Sequence, residues 1–259
     1  MNRLFNWLLF IPALALAAFL VILVAGAITE LAGGSYIRPP DAGRIIFAIR
    51  LSLVTATAAS VLALLIAIPV AYLISRHSFF GKSVLDTLLD LPIVLSPIAL
   101  GALLMIFFNT APGRIISGIF GPFVFEVRGI VLAQFCVVVG LAIRLLKTTF
   151  EGIDVTYEHL ARTLGLNRFQ TFWKIVLPLA RRGLMATFLL SWGRAIGEFG
   201  ATVTLAGATT FKTETIPISI FLNFASADIA NAMIFILILI IFSLGILFAV
   251  RKVRILGHG

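Results

Sequence analysis

Arg194 and Glu198 stand four positions apart inside the apolar run Gly183–Gly207, so on a helix a guanidinium and a carboxylate share one face. Ionised groups within a bilayer cost at least about 2.5–3.5 kcal/mol each on insertion scales, so they face protein or water and pair with one another. Gly193, Gly197 and Gly200 add a ridge of small residues, with a G-x-x-x-G spacing that permits close helix contact. The pattern fits a packing seam with a neutralised ion pair, and equally a helix along a water-accessible path. In a dimer whose path lies at its seam, both hold. The hydroxyls of Ser96, Thr202 and Thr204 are candidate path-lining groups, set against the habit of helical hydroxyls to bond their own backbone.

Other chemistry finds little support. Gly81-Lys82-Ser83 could end a phosphate-cradling G-x-x-x-x-G-K-[ST] loop, but the first glycine position holds Arg76 and two aromatics precede the motif. The stretch reads as a loop turn. His77, His159 and His258 are scattered without paired-ligand spacing, so no metal site is expected. Cys136, the single cysteine, lies in an apolar run and reads as a small buried residue. No catalytic residue, metal or cofactor is expected in this chain.

The elements that position these residues are set by composition. The chain has 259 residues, of which 61% are hydrophobic and 12% charged, against about 45–50% and about 25% in ordinary soluble domains. That excludes a water-soluble fold. Six stretches are long enough to cross a bilayer as helices: Trp7–Ile28, Ile45–Ile74, Leu91–Phe108, Ile130–Phe150, Gly183–Gly207 and Ile229–Val250. No period-two alternation recurs, and backbone groups in lipid need internal partners, so the expected fold is all-α. The first run is about twice the length of a signal-peptide core and reads as a retained helix. With the N-terminus inside, thirteen basic residues fall on inner segments against five on outer ones. The bias places both termini in the cytoplasm, and accounts for the net charge of +9 without invoking nucleic acid. The organisation is thus a first helix and outer loop (1–43), a core (44–250) and a basic tail (251–259).

The most patterned segment is the polar loop 151–182, between the fourth and fifth spans. Asp154 can cap a short helix whose Tyr157, Leu160, Ala161 and Leu164 follow helical spacing. Gly165 suits a left-handed terminator. Asn167 with Gln170 opens a second helix as a capping-box variant, with a stripe of Phe169, Phe172, Trp173 and Val176, and Leu177-Pro178 is expected to end it. Such a pair of amphipathic helices could lie on lipid headgroups or fit a groove in a cytoplasmic partner.

Ala161-Arg162-Thr163-Leu164-Gly165, nine residues, then Ile175-Val176-Leu177-Pro178 resembles the "EAA…G…I-LP" loop of ATP-binding-cassette importer permeases. The opening departs from it, reading His159-Leu160-Ala161 with Glu158 one place early. The resemblance runs from Ile45 to Val250 and implies a type I importer permease fold. It also implies that the loop docks on a separate ATPase subunit, which holds ATP and magnesium. By this resemblance Glu158, His159, Ala161, Arg162, Gly165, Ile175, Leu177 and Pro178 belong to the docking element.

Trp192 to Thr202 is similar to the "ARA-GEFGAT" stretch of molybdate and tungstate importer permeases, and Lys212-Thr213-Glu214-Thr215-Ile216-Pro217 to their outer "KT-TIP" stretch. Sulfate permeases share much of both patterns. The implied assembly is two copies of this chain, two cytoplasmic ATPases and an extracytoplasmic oxyanion-binding protein in a prokaryotic cytoplasmic membrane. An ion-coupled secondary transporter would instead favour inverted repeats and several titratable residues at the midplane. A non-transporting anchor would leave the charged, glycine-rich fifth span unexplained.

Overall fold

The structure is a computed structural model, and it describes residues 2–32 and 41–255. All regular elements among them are helical. In chain order they are α1 (Asn2–Ala32), α2 (Ala42–Arg76), α3 (Lys82–Val94), α4 (Pro97–Asn109), α5 (Ala111–Phe120), α6 (Val127–Glu151), α7 (Thr156–Thr163), α8 (Arg168–Thr171), α9 (Leu177–Ile196), α10 (Gly200–Ala206), α11 (Ile216–Ala225) and α12 (Ile229–Ile255). Among the described residues five helical stretches are long and apolar enough to cross a bilayer, or six if α3 and α4 count as one bent span.

The core forms where α2 lies against α6. The buried face of α2 is almost entirely small: Ser52, Ala56, Ala59, Ser60, Ala63, Ala67 and Ala71. Gly129, Ala133, Gly140 and Ala142 are buried on α6. Lipid tails compete with apolar side chains, so helix association in a bilayer comes from van der Waals packing, and small residues let backbones approach. The larger Val138, Leu146, Phe150, Val176, Ile196 and Leu205 fill the spaces left between helices. Helices α2, α6 and α12 run toward the end of the bundle that carries α7, while α9 runs back from it. That end is fastened by ion pairs from Lys147 to Asp86, at 2.7 Å, and from Arg144 to Asp90, which tie α6 to α3.

Four sequence expectations are corrected. The third span is not one helix: α3 and α4 meet at 108°, with the break at Leu95-Ser96. Pro97 cannot continue a helix from Val94, and Ser96 caps the new one by accepting from Ala99 N–H at 3.2 Å. The fifth span likewise stops at Ile196, and α10 restarts at Gly200. Leu177-Pro178, by contrast, breaks nothing. A π-helical turn, Phe172–Val176, carries the chain from α8 straight into α9, with Leu177 N–H reaching Phe172 O five residues back. The wider turn accommodates the ring and missing N–H of Pro178. Finally, the outer segments 109–129 and 208–228, whose Gly, Pro and polar residues suit turns, contain helices: α5 between α4 and α6, and the buried α11, whose Ile216, Ile218, Ser219 and Asn223 face the interior.

Candidate functional site

Two places gather the sequence-predicted residues. The first is the loop 151–182. Asp154 O accepts from Tyr157 N–H, and its carboxylate accepts from Thr156 N–H at 2.8 Å. Thr156, through its N–H first and its hydroxyl second, holds the Asp154 carboxyl below the usual range, although Asp154 lies one place before the N-cap of α7, Val155, which makes no side-chain bond. A depressed folded pKa makes the contribution of this carboxylate turn complete above about pH 4 and lost only as pH falls through the lowered value. Gly165 adopts φ +90°, with its N–H on Arg162 O and Leu166 N–H on Ala161 O. That is the Schellman ending of α7, and it requires the left-handed backbone glycine tolerates. Asn167 and Gln170 form the reciprocal capping box.

The expected apolar stripes divide. Ala161 and Val176 are buried, whereas Leu164 is 84% and Phe169 72% exposed. Tyr157, Leu160 and Trp173 are also exposed, so the α7–α8 knob turns apolar surface outward. His159, Arg162 and Pro178 are exposed; Ile175 and Leu177 are half-buried.

Glu158 does not join that outer surface. Its carboxylate pairs with Arg76 Nε at 2.7 Å and accepts from the Tyr72 hydroxyl at 2.7 Å. The same Arg76 donates to Ile153 O at 2.7 Å. Tyr72 packs between Phe150 and Phe172, with ring centroids 5.7 and 4.7 Å away. One carboxylate thus joins the last turn of α2 to the first turn of α7. The sequence placed Glu158 with the docking residues because the motif has an acid nearby. Its true neighbours come from a helix remote in the chain.

The second place is where the two broken helices meet. Arg194 and Glu198 do pair, at 2.6 Å, with Arg194 41% exposed and Glu198 buried. Glu198 also accepts from Ala201 N–H at 3.0 Å, so it caps the restart at α10. Buried Gln134 of α6 donates to Ala195 O at 3.0 Å, a carbonyl in the last turn of α9 that also accepts from Glu198 N–H at 3.1 Å, so the amide ties α6 to the break. Sequence reasoning missed Gln134, though a lone amide within an apolar span was the available signal. Replacing it with Leu removes this link between helices but leaves the carbonyl its backbone partner, and thermal unfolding should show a loss of about 0.5–1.5 kcal/mol.

The glycines are not one ridge. A Cβ on Gly193 would touch Ile246 of α12 at 3.2 Å, while one on Gly200 would meet Pro97 and Ile98 of α4 at 3.0–3.1 Å. Gly197 lies in the break. Gly101 of α4 sits still closer, 2.7 Å from Ala201 O by the same measure. The restarted halves α4 and α10 therefore pack backbone to backbone. Ser96 is exposed at this junction, Thr204 donates to Gly200 O at 2.7 Å, and the buried Thr202 hydroxyl has no hydrogen-bond partner. In the "KT-TIP" stretch, Lys212 pairs with Glu126 at 2.6 Å. Buried Glu214 takes Arg44 Nε at 2.5 Å and the Ser219 hydroxyl at 2.9 Å.

Comparison with known proteins gives this geometry a context. Residues 63–256 match the family model described as "Binding-protein-dependent transport system inner membrane component". Molybdenum transport system permease protein ModB of Haemophilus influenzae is 37% identical over 179 residues, 68% of this chain and 78% of that protein. Sulfate transport system permease protein CysT of Salmonella typhimurium is 30% identical over 229 residues, 83% and 80% of the two chains. Among solved structures, a bacterial alginate ABC transporter in complex with an alginate pentasaccharide-bound periplasmic protein aligns with TM-score 0.76 at 18% identity, covering 98% of this chain and 96% of that one. That likeness concerns the fold alone. A family match across three-quarters of the sequence, joined to the multi-pass helical architecture, makes this chain a member of the family of binding-protein-dependent transport system inner membrane components.

Proposed function

We propose that the protein is the permease subunit of an ATP-binding-cassette importer that carries molybdate or tungstate across the cytoplasmic membrane of a prokaryote. Two copies would pair with two cytoplasmic ATPases and receive the oxyanion from an extracytoplasmic binding protein. The observation that carries this reading is the higher identity to the molybdenum permease than to the sulfate permease, 37% against 30%. The Arg-Ala-Ile-Gly-Glu-Phe-Gly-Ala-Thr stretch from Arg194 agrees with it. Six spans with both termini inside follow from taking α3 and α4 as one bent span and from the basic-residue bias.

In this reading ATP is hydrolysed elsewhere, and the chain converts motion at the α7–α8 knob into a rearrangement of its helices. The α4–α10 junction is the element placed to move, because two helices are already interrupted there. A permease need not hold its anion tightly: strong cationic coordination would oppose release. The Arg194 charge is neutralised by Glu198, and Ser96 offers an exposed hydroxyl at the break. Thr202 would reach the path only after α10 turns.

The test is reconstitution of the permease with its ATPase and binding protein in sealed vesicles. ATP-dependent uptake of molybdate and tungstate, with sulfate transported at least about tenfold less efficiently, is the expected result. Preferred sulfate uptake would shift the substrate, and uptake driven by an ion gradient without ATP would end the importer reading.

A further inference from the structure

The end of the bundle that carries α7 also holds a cleft for which the proposed transport path has no use. It measures about 660 Å³ and lies where α6, α9 and α12 meet. Its lining changes character with depth. Because α9 runs back from this end, Arg182, Thr187 and Leu190 stand progressively deeper, the last two by about 7 and 12 Å at 1.5 Å per residue. Because α12 runs toward it, Arg251 lies nearer the end and Leu247 deeper. Both arginines are exposed, and neither has a carboxylate partner among the described residues. The lining contains no acid. A neighbouring cleft of about 540 Å³ shares Arg182 and adds Lys174 and Arg181, again without an acid. Thr149 spends its hydroxyl on Leu145 O at 2.8 Å, whereas that of Thr187, a residue 2% exposed, has no partner among the described residues. Leu247 is 53% exposed, so the deeper part opens toward the side of the bundle.

We infer that this cleft binds one anionic phospholipid, with Arg182 and Arg251 on its phosphate, Thr187 donating to a glycerol ester carbonyl, and an acyl chain along Leu190 and Leu247. The order of the side chains is the order of the lipid. The headgroup layer is about 5–7 Å thick outside the hydrocarbon, so a residue about 7 Å beyond the phosphate-level arginine stands where the esters lie. Leu190 and Leu247 then fall within the hydrocarbon. Basic clefts between membrane helices suit anionic headgroups in this way. A dissolved oxyanion would use the two arginines and leave the apolar part of the cleft without an occupant. The Arg251-Lys252-Val253-Arg254 segment of a second copy brings charge of the wrong sign. Assignment to the cytoplasmic leaflet rests on the proposed orientation, whereas the site itself does not depend on which anion is carried.

The experiment titrates the full permease in detergent with dioleoyl phosphatidylglycerol or dioleoyl phosphatidylcholine and reads bound lipid by native mass spectrometry. Micelles have no leaflets, so the outcome is independent of orientation and of any transport assay. Phosphatidylglycerol should bind saturably and about thirtyfold more tightly than phosphatidylcholine, the factor expected of two cations at an anionic headgroup. Arg182→Gln with Arg251→Gln should bring the two lipids within about threefold, while the Arg→Lys pair keeps most of the preference. Ala186, also in the lining, allows the cleft to be filled without touching charge. Ala186→Trp should weaken both lipids by about tenfold or more, and Leu247→Trp, at an exposed position, asks the same question if that variant folds poorly. Equal binding of the two lipids by the unaltered protein would overturn the inference. So would a preference that survives loss of both arginines or filling of the cleft, which would mark general surface charge. Displacement of phosphatidylglycerol by inorganic phosphate or molybdate would make this a free-anion site. Absence of the lipid from the dimeric species, or its release when the ATPase is added, would give the cleft to a protein contact; each of these results also overturns the lipid site.

Discussion

Glu158→Ala should leave the ATPase bound yet reduce ATP-dependent uptake by at least about tenfold. The pair it breaks is largely shielded, with side-chain exposures of 13% for Glu158 and 9% for Arg76. Removing one member of a buried pair costs about 3–5 kcal/mol, because the other is left uncompensated. Here the stranded group is Arg76, which also holds Ile153 O and so anchors the turn from α6 into α7. Without the carboxylate, Tyr72 loses its acceptor and α7 can tilt independently of α2. Motion delivered to the knob would then be dissipated locally. Exchange of the charges, Glu158→Arg with Arg76→Glu, separates this account from a contact with the ATPase. An intramolecular strut regains part of its function when both sides are reversed; a residue facing the partner does not. Uptake that stays low in the exchanged protein while retention of ATPase falls would move Glu158 back to the docking surface.

The form of the loop 151–182 was legible in the sequence because its determinants are local. Gly165 ends α7 through its own backbone, and Asn167 and Gln170 cap each other across three positions. The inward turn of Glu158 was not legible, since it depends on Arg76 and Tyr72 arriving from α2. Hydropathy found the crossing helices but joined segments that the backbone keeps apart. Pro97 and Ser96 signalled the first break, yet an apolar run on either side outweighed them. The break after Ile196 had a weaker signal. Gly197 and Gly200 were read as a packing ridge, although Glu198 between them acts as the cap that lets α10 restart. Pro178 misled in the opposite direction, because a π turn absorbs what an α-helix could not.

The second large effect belongs to Gly101. Its backbone meets α10 so closely that a Cβ would lie 2.7 Å from Ala201 O, 2.8 Å from Ala201 Cα and 2.9 Å from Thr204 Cβ. Two of those three obstacles are backbone atoms, so no rotamer change relieves them. Even Gly101→Ala must push α4 and α10 apart, and Gly101→Leu must do so by most of a side chain. Overpacking of this kind costs about 1–3 kcal/mol, and more where backbone has to move. The penalty falls on the contact between two restarted helices, not on the α2–α6 core, so the protein should still insert and still retain its ATPase. If the junction moves during transport, a wedge there favours whichever state holds α4 and α10 further apart. An imbalance of about 3 kcal/mol corresponds to roughly a hundredfold. Gly101→Leu is therefore expected to lower uptake by that order while ATP hydrolysis continues, with Gly101→Ala intermediate. Cysteine accessibility at Thr202 gives an independent readout, because its buried hydroxyl lies on the helix being displaced. Uptake at the unaltered rate in Gly101→Leu would mean that α4 and α10 travel as independent bodies, and the junction would lose its place in the transport cycle.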